Sequence, residues 1–283
     1  MQQHYDSLAP VDGLNQVVLS PISIIARAAE AYPDHDAVLY GRRRYTWREL
    51  GLRAKRLASG LNSLGVCRGS TVSIMAGNTP ELMEAHYGVP MSGGVLNAIN
   101  VRLDADTIAY ILQHSDAEIL ITDSAYSATV GKALENMDNP PRVIDIVDDQ
   151  FEVDNGNGER LGSLTYDELL DLGTDDIPWT LPDSEWDALT LNYTSGTSGR
   201  PKGVVYHHRG AYLMSLGTVA AWRLPKHPVY LYTVPLFHCN GWGHIWTMGL
   251  LGGTFVCNRT VSAEVIFDAI REHRVTHFGA API

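Results

Sequence analysis

Three cysteines in 283 residues, Cys67, Cys239 and Cys257, are too few and too scattered for a disulfide framework. Their scarcity points to a reducing compartment, and a cytoplasmic location is the expectation. Positive charge is also short: 21 Lys and Arg stand against 32 Asp and Glu, for a net charge of −11. That balance excludes a broad nucleic-acid-binding surface, which needs a basic patch. No long hydrophobic run is present. The longest apolar stretch, near Ile245 to Cys257, is interrupted by Gly252 and Gly253 and is too short to span a bilayer. The first residues, MQQHYDSLAPVDG, lack the basic and apolar regions of a secretory signal. Two catalytic patterns are missing as well. No GxSxG elbow supports a serine hydrolase. His207, His208, His227, His238 and His244 lack zinc-site spacing and partner ligands, and read as surface and pocket residues.

What the chain does have is LNYTSGTSGRPKG, from Leu191 to Gly203. Thr194, Ser195, Thr197 and Ser198 alternate with Gly196 and Gly199, and Lys202 follows between Pro201 and Gly203. Glycines let backbone N–H groups approach a ligand, hydroxyls donate hydrogen bonds, and lysine supplies a point charge. Together they suit a polyphosphate. A plain flexible Gly/Ser/Thr loop is the competing reading. Against it, Leu189, Leu191 and Tyr193 alternate with Thr190 and Asn192 as in a strand, and Gly203 to Tyr206 resumes an extended pattern. A strand after the lysine predicts a hairpin-like phosphate loop. It is not a Walker A loop, because Pro201 occupies the place of that motif's second glycine.

This stretch resembles the phosphate-loop signature of the AMP-forming adenylating enzymes, which include acyl-CoA synthetases, peptide-synthetase adenylation domains and firefly-type luciferases. PLFHCNGW, Pro235 to Trp242, resembles the family's next segment, whose histidine lies beside the acyl group and the adenylate. YTWREL (Tyr45 to Leu50) and GNTPELMEAHYGVPMSGGVLNAINVRL (Gly77 to Leu103) resemble its N-terminal passages. The wording is most similar to the short- and medium-chain fatty acyl-CoA synthetase branch, over nearly the whole chain after about Leu14.

Local patterns predict an α/β fold. Thr46 and Glu49 form a capping-box pattern ahead of Leu50, Ala54, Leu57, Leu61 and Leu64, with Gly65 ending the helix. Strands are expected at 71–76, 95–99, 118–122, 143–147, 229–234 and 275–279. Helices are expected from Pro80, after Asp104 or Asp106 up to Ser115, and over 124–136, 208–222 and 262–273. Such alternation predicts stacked, mostly parallel sheets flanked by helices. Asp148 to Gly162 reads as an acidic surface excursion. The expected organisation is an N-terminal arm (1–20), a first αβ subdomain region (21–188) and the start of a second (189–283). The chain stops at Ile283 straight after a strand. The resemblance therefore implies roughly the first half of such an enzyme, with the adenine, ribose and Mg²⁺ ligands and a mobile lid lysine lying downstream. The isolated chain is expected not to turn over.

By resemblance, Thr194, Ser195, Gly196, Thr197, Ser198 and Gly199 cradle the ATP phosphates, and Lys202 neutralises the departing pyrophosphate. His238 orients the carboxylate or shapes access for the thiol. Trp242 walls a small acyl pocket, with Asn240 and Gly241 shaping it; core packing of the tryptophan is equally open on sequence alone. If a helical turn follows the strand, His238 and Trp242 face the same way. A Cys239–His238 dyad is disfavoured, since neighbours on a strand point to opposite faces. The implied activity is an ATP- and Mg²⁺-dependent acid–thiol ligase that makes an acyl-adenylate and then a coenzyme A thioester, within fatty acid metabolism. A carrier-protein adenylation domain, a luciferase-like enzyme and a non-catalytic nucleotide- or acyl-binding module stay open, as does a homodimer.

Overall fold

The computed structural model describes residues 17–150, 158–194 and 200–280. Twelve strands among the described residues form two sheets. The first contains β3 (Thr71–Met75), β4 (Val95–Ala98), β5 (Ala117–Asp123), β6 (Arg142–Ile146), β7 (Leu164–Thr165), β8 (Ala188–Thr194) and β9 (Lys202–His207), in the order β7-β6-β5-β3-β4-β8-β9. All neighbours are parallel except β8 and β9. Strands β3 and β4 are buried throughout, as expected where helices cover both faces. The second sheet holds β1 (Asp36–Tyr40), β2 (Arg43–Thr46), β10 (Val229–Leu231), β11 (Thr254–Val256) and β12 (His277–Phe278), in the order β12-β10-β11-β1-β2. Sheet membership does not follow chain order: β1 pairs with β11, and β8 and β9 close the first sheet.

Between the sheets lies a layer of helices: α1 (Pro21–Ala31), α2 (Trp47–Ser63) and α3 (Pro80–Met91), with α8 (His244–Leu251). Helix α3 is buried at every position, which suits an inner layer. Its Tyr87 hydroxyl donates to the Ile245 carbonyl at 2.8 Å, joining it to α8. On the outer face of the first sheet, α4 (Ala105–His114) and α5 (Ser127–Glu135) place Ile108, Ile111, Leu112 and Val130 against Met75 and Leu120. On the outer face of the second, α9 (Ala263–His273) packs Ala269 and Ile266 on Leu231 and Val256. A short α6 (Tyr166–Leu172) lies against α2, and α7 (His208–Trp222) follows β9.

Most expected elements are present. The Thr46–Glu49 capping box forms both of its hydrogen bonds. Asp104 rather than Asp106 caps α4, through the Thr107 amide at 2.8 Å. Others differ. The segment from Ser124 begins with a 3₁₀ turn before α5, and β10 ends at Leu231, three residues short. Helices α1 and α6 and the hairpin β1–β2 were not expected. The hairpin hides because its inward residue Arg43 is charged; its partner Glu81 lies far along the chain on α3.

Candidate active site

The loop motif joins β8 to β9, the two strands of an antiparallel hairpin. Strands β8 and β9 pair in register up to Tyr193 opposite Gly203 and Thr194 opposite Lys202. Thr194 and Lys202 therefore face each other at the mouth, and both are exposed. Ser195, Gly196, Thr197, Ser198 and Gly199 lie outside the described residues. A Cβ at Gly203 would lie 2.9 Å from Leu191 Cδ1, the tip of a half-buried side chain that can turn aside. The loop end of the hairpin is braced by α4. The Tyr110 hydroxyl donates to the Pro201 carbonyl at 3.4 Å, and the Arg200 guanidinium lies 5.3 Å from the Tyr110 ring. His114 Nδ1 and the Tyr193 hydroxyl are 2.7 Å apart. Partial burial pushes the Tyr193 phenol up to about 12, so it stays a neutral hydrogen-bonding group.

Past β10 the chain bends at Val234 and turns over 235–238, where the His238 N–H donates to the Pro235 carbonyl at 3.1 Å. Asn78, buried at the exit of β3, holds this run in place. Its amide donates to the carbonyls of Tyr232 (3.1 Å) and Val234 (3.0 Å), and its oxygen accepts from the Leu236 N–H at 2.8 Å. His238 is exposed and lines a small cleft with Asn97, Asn100, Tyr193 and Phe237, at the C-terminal ends of β4 and β8. That is where open α/β sheets bind ligands.

The turn that follows corrects the expected geometry. Cys239, Asn240, Gly241, Trp242 and Gly243 all have positive φ, so the turn is left-handed. His238 and Trp242 consequently face different cavities. Trp242 lines a separate space of about 380 Å³ with Val205, Tyr206, His207, Met214 and Cys239. Asn240 does not shape that pocket: it is fully buried and bonds to Thr190 and Asn192 of β8. Gly241 is buried too, with Leu236 and Tyr232 packed where a side chain would go. His238 and Cys239 line different cavities, which disfavours a dyad; the cause is the turn, because neither residue lies in a strand.

The Tyr206 phenol is raised by burial and by the adjacent Cys239 thiol. His208 and His244 are core residues rather than surface ones: His208 Nδ1 meets the Ser20 hydroxyl at 2.8 Å, and His244 Nδ1 meets the Tyr230 hydroxyl. Asn78, Tyr110, His114 and Tyr193 escaped sequence reasoning. For Asn78 a signal existed: a polar residue placed between a strand and a Thr-Pro helix start.

Two αβ sheets with a layer of helices between them define the N-terminal fold of the adenylate-forming enzymes. The chain belongs to the AMP-binding enzyme family, whose sequence profile matches residues 25–283. It is 41% identical over 271 residues to 2-methylpropanoate--CoA ligase CCL4 of Humulus lupulus, covering 94% of this chain and 48% of that protein. It is 40% identical over 277 residues to acetate/butyrate--CoA ligase AAE7, peroxisomal, of Arabidopsis thaliana, covering 95% of this chain and 49% of that one. Among solved structures it resembles the N-terminal domain of FACL13 from Mycobacterium tuberculosis, with TM-score 0.76 and 26% identity over 92% of this chain and 62% of that chain. The chain spans about half the length of the curated relatives it matches. Among the described residues no helix is long and apolar enough to cross a membrane.

Proposed function

We propose that this chain carries the phosphate-binding and acyl-binding half of an ATP-dependent acyl-CoA ligase acting on small to medium carboxylic acids. The observation that carries this reading is the pairing of Lys202 with Thr194 at the hairpin mouth, with the His238 cleft at the end of β8 and the Trp242 cavity beside β9. Thr194 and the loop 195–199 hold the β- and γ-phosphates through hydroxyls and main-chain amides. Lys202 balances charge as pyrophosphate leaves. The acid's carboxylate attacks the α-phosphorus beside His238, which orients it, and the separate Trp242 cavity is the candidate space for its apolar chain. Coenzyme A thiol then displaces AMP, giving the thioester. Positioning and charge stabilisation, rather than a covalent enzyme intermediate, supply the rate. Mg²⁺ accompanies ATP in this chemistry; among the described residues no group of three or more His, Cys, Asp or Glu is placed to hold it. Names of relatives favour short straight or branched acids. A peroxisomal location competes with the cytoplasmic one, because several relatives are named as peroxisomal.

The test is carboxylate-dependent ATP–pyrophosphate exchange by the full-length gene product with acetate, butyrate, 2-methylpropanoate and octanoate. Lys202→Ala is expected to lower exchange roughly a hundredfold or more, as for loss of one preorganised charge-stabilising group. No exchange with any of these acids would sink the proposal.

A further inference from the structure

The left-handed turn from Cys239 to Gly243 is an unusual run of backbone. Five consecutive residues have φ between 48° and 66°, and three of them, Cys239, Asn240 and Trp242, carry side chains. L-residues adopt this conformation at a cost, asparagine with least difficulty. It persists only where the surroundings over-determine it. Here the surroundings include both strands of the phosphate hairpin, beside Leu236 and Tyr232 against Gly241. Asn240 Nδ2 donates to Thr190 Oγ1 at 3.0 Å and to Asn192 Oδ1 at 3.1 Å, and Asn192 Nδ2 returns a bond to Asn240 Oδ1 at 3.5 Å. The Thr190 hydroxyl donates in turn to Asn192 Oδ1 at 3.1 Å. All three side chains are buried. On the other strand, Tyr206 of β9 sits against Cys239. In sequence, Asn240 is two residues from His238 and two from Trp242, and Asn192 is two residues before Thr194.

We propose that Asn240 is a positioning residue: its reciprocal amide pair with Asn192 ties the left-handed turn to the phosphate strand, so that nucleotide phosphates and the acyl chain are bound with positive coupling. The identity of the two ligands rests on the ligase reading; the tether does not. A displacement of the β8 end when phosphates bind is transmitted through the Thr190, Asn192 and Asn240 side chains to the turn between His238 and Trp242. Purely local packing would stabilise the fold without linking the two ligands.

Two measurements on the full-length gene product test this. In the first, without ligands, amide hydrogen exchange is followed over residues 236–246 in the wild type, Asn240→Ala and the near-isosteric Thr190→Val. Both variants are expected to speed exchange in the turn by about tenfold while α9 exchanges unchanged. Unchanged exchange in the turn for both would overturn the tether. In the second, calorimetry measures butyrate affinity with and without a non-hydrolysable ATP analogue. The wild type is expected to show about tenfold tightening by the nucleotide, falling below about twofold in either variant, with nucleotide affinity alone within about threefold. Equal weakening of both ligands with the tightening retained would overturn the coupling. A wild type that binds neither ligand refutes the ligase reading and the coupling with it, while the exchange measurement still decides the tether.

Discussion

Asn78 shows how one side chain can set the position of a reacting group it never touches. Three main-chain groups of the 232–236 run have this amide as their partner, and the run delivers His238 to its cleft. Asn78→Ala would leave buried carbonyls and an N–H unsatisfied. The expected loss is about 2–4 kcal/mol in urea denaturation, since each orphaned buried group costs about 1–3 kcal/mol before relaxation. Asn78→Asp keeps the acceptor for Leu236 but sets a buried carboxylate oxygen against the Tyr232 and Val234 carbonyls, so it should cost at least as much as the alanine variant. Asn240 makes the same point from the other side. In sequence it reads as part of a pocket motif, because the amide is polar and sits close to His238. Only the positive φ values turn it inward toward β8, and no pattern of residue types announces them in a turn where just Gly241 and Gly243 are glycines.

Among the elements, α2 is the best specified. Thr46 Oγ1 accepts from the Glu49 amide at 3.2 Å, and the Glu49 carboxylate accepts from the Thr46 amide at 2.7 Å. Thr46→Ala is expected to cost about 1 kcal/mol of stability, visible as a lower thermal midpoint with an unchanged circular dichroism spectrum. This helix was legible because its cap and its apolar spacing agree. Strands β3, β5, β6 and β8 were legible for a related reason: short apolar or alternating runs bounded by turn residues. The hairpin β1–β2 was not. Its inward-facing Arg43 is matched by Glu81, and Tyr40 by Asp148, so polar partnerships interrupt the buried Ala37 and Val38 and the alternation is lost. The phosphate hairpin was legible down to its partner strand, whereas the separation of His238 from Trp242 depended on the handedness of a single turn.

At the scale of the whole molecule, acid sensitivity follows from buried histidines. Burial holds His86, His208 and His244 each at a pKa of about 4. In the unfolded chain each would titrate near 6.5. Between those values the unfolded state binds more protons, so stability is full above about pH 6.5 and is lost as pH falls toward 4. Asp123 opposes this. Burial raises it to about 6 despite its pairing with Arg259, so it favours the folded state slightly as pH falls. Glu84, raised by burial, acts in the same direction as Asp123, so three histidines stand against two carboxyls and a net loss remains. The thermal midpoint should drop by roughly 10 °C from pH 7 to pH 5, and His208→Gln should reduce that drop.

The second sheet sets a timetable for biosynthesis. Strand β1 is parallel to β11, and β2 pairs with β1, so the hairpin made first is completed by a strand made near the end of this chain. On a ribosome adding about 5–20 residues per second, the hairpin waits on the order of 10–40 s for its neighbour. During that interval the Leu39 edge of β1 has no strand partner on one side, which makes this early hairpin a natural client for a chaperone that binds nascent chains.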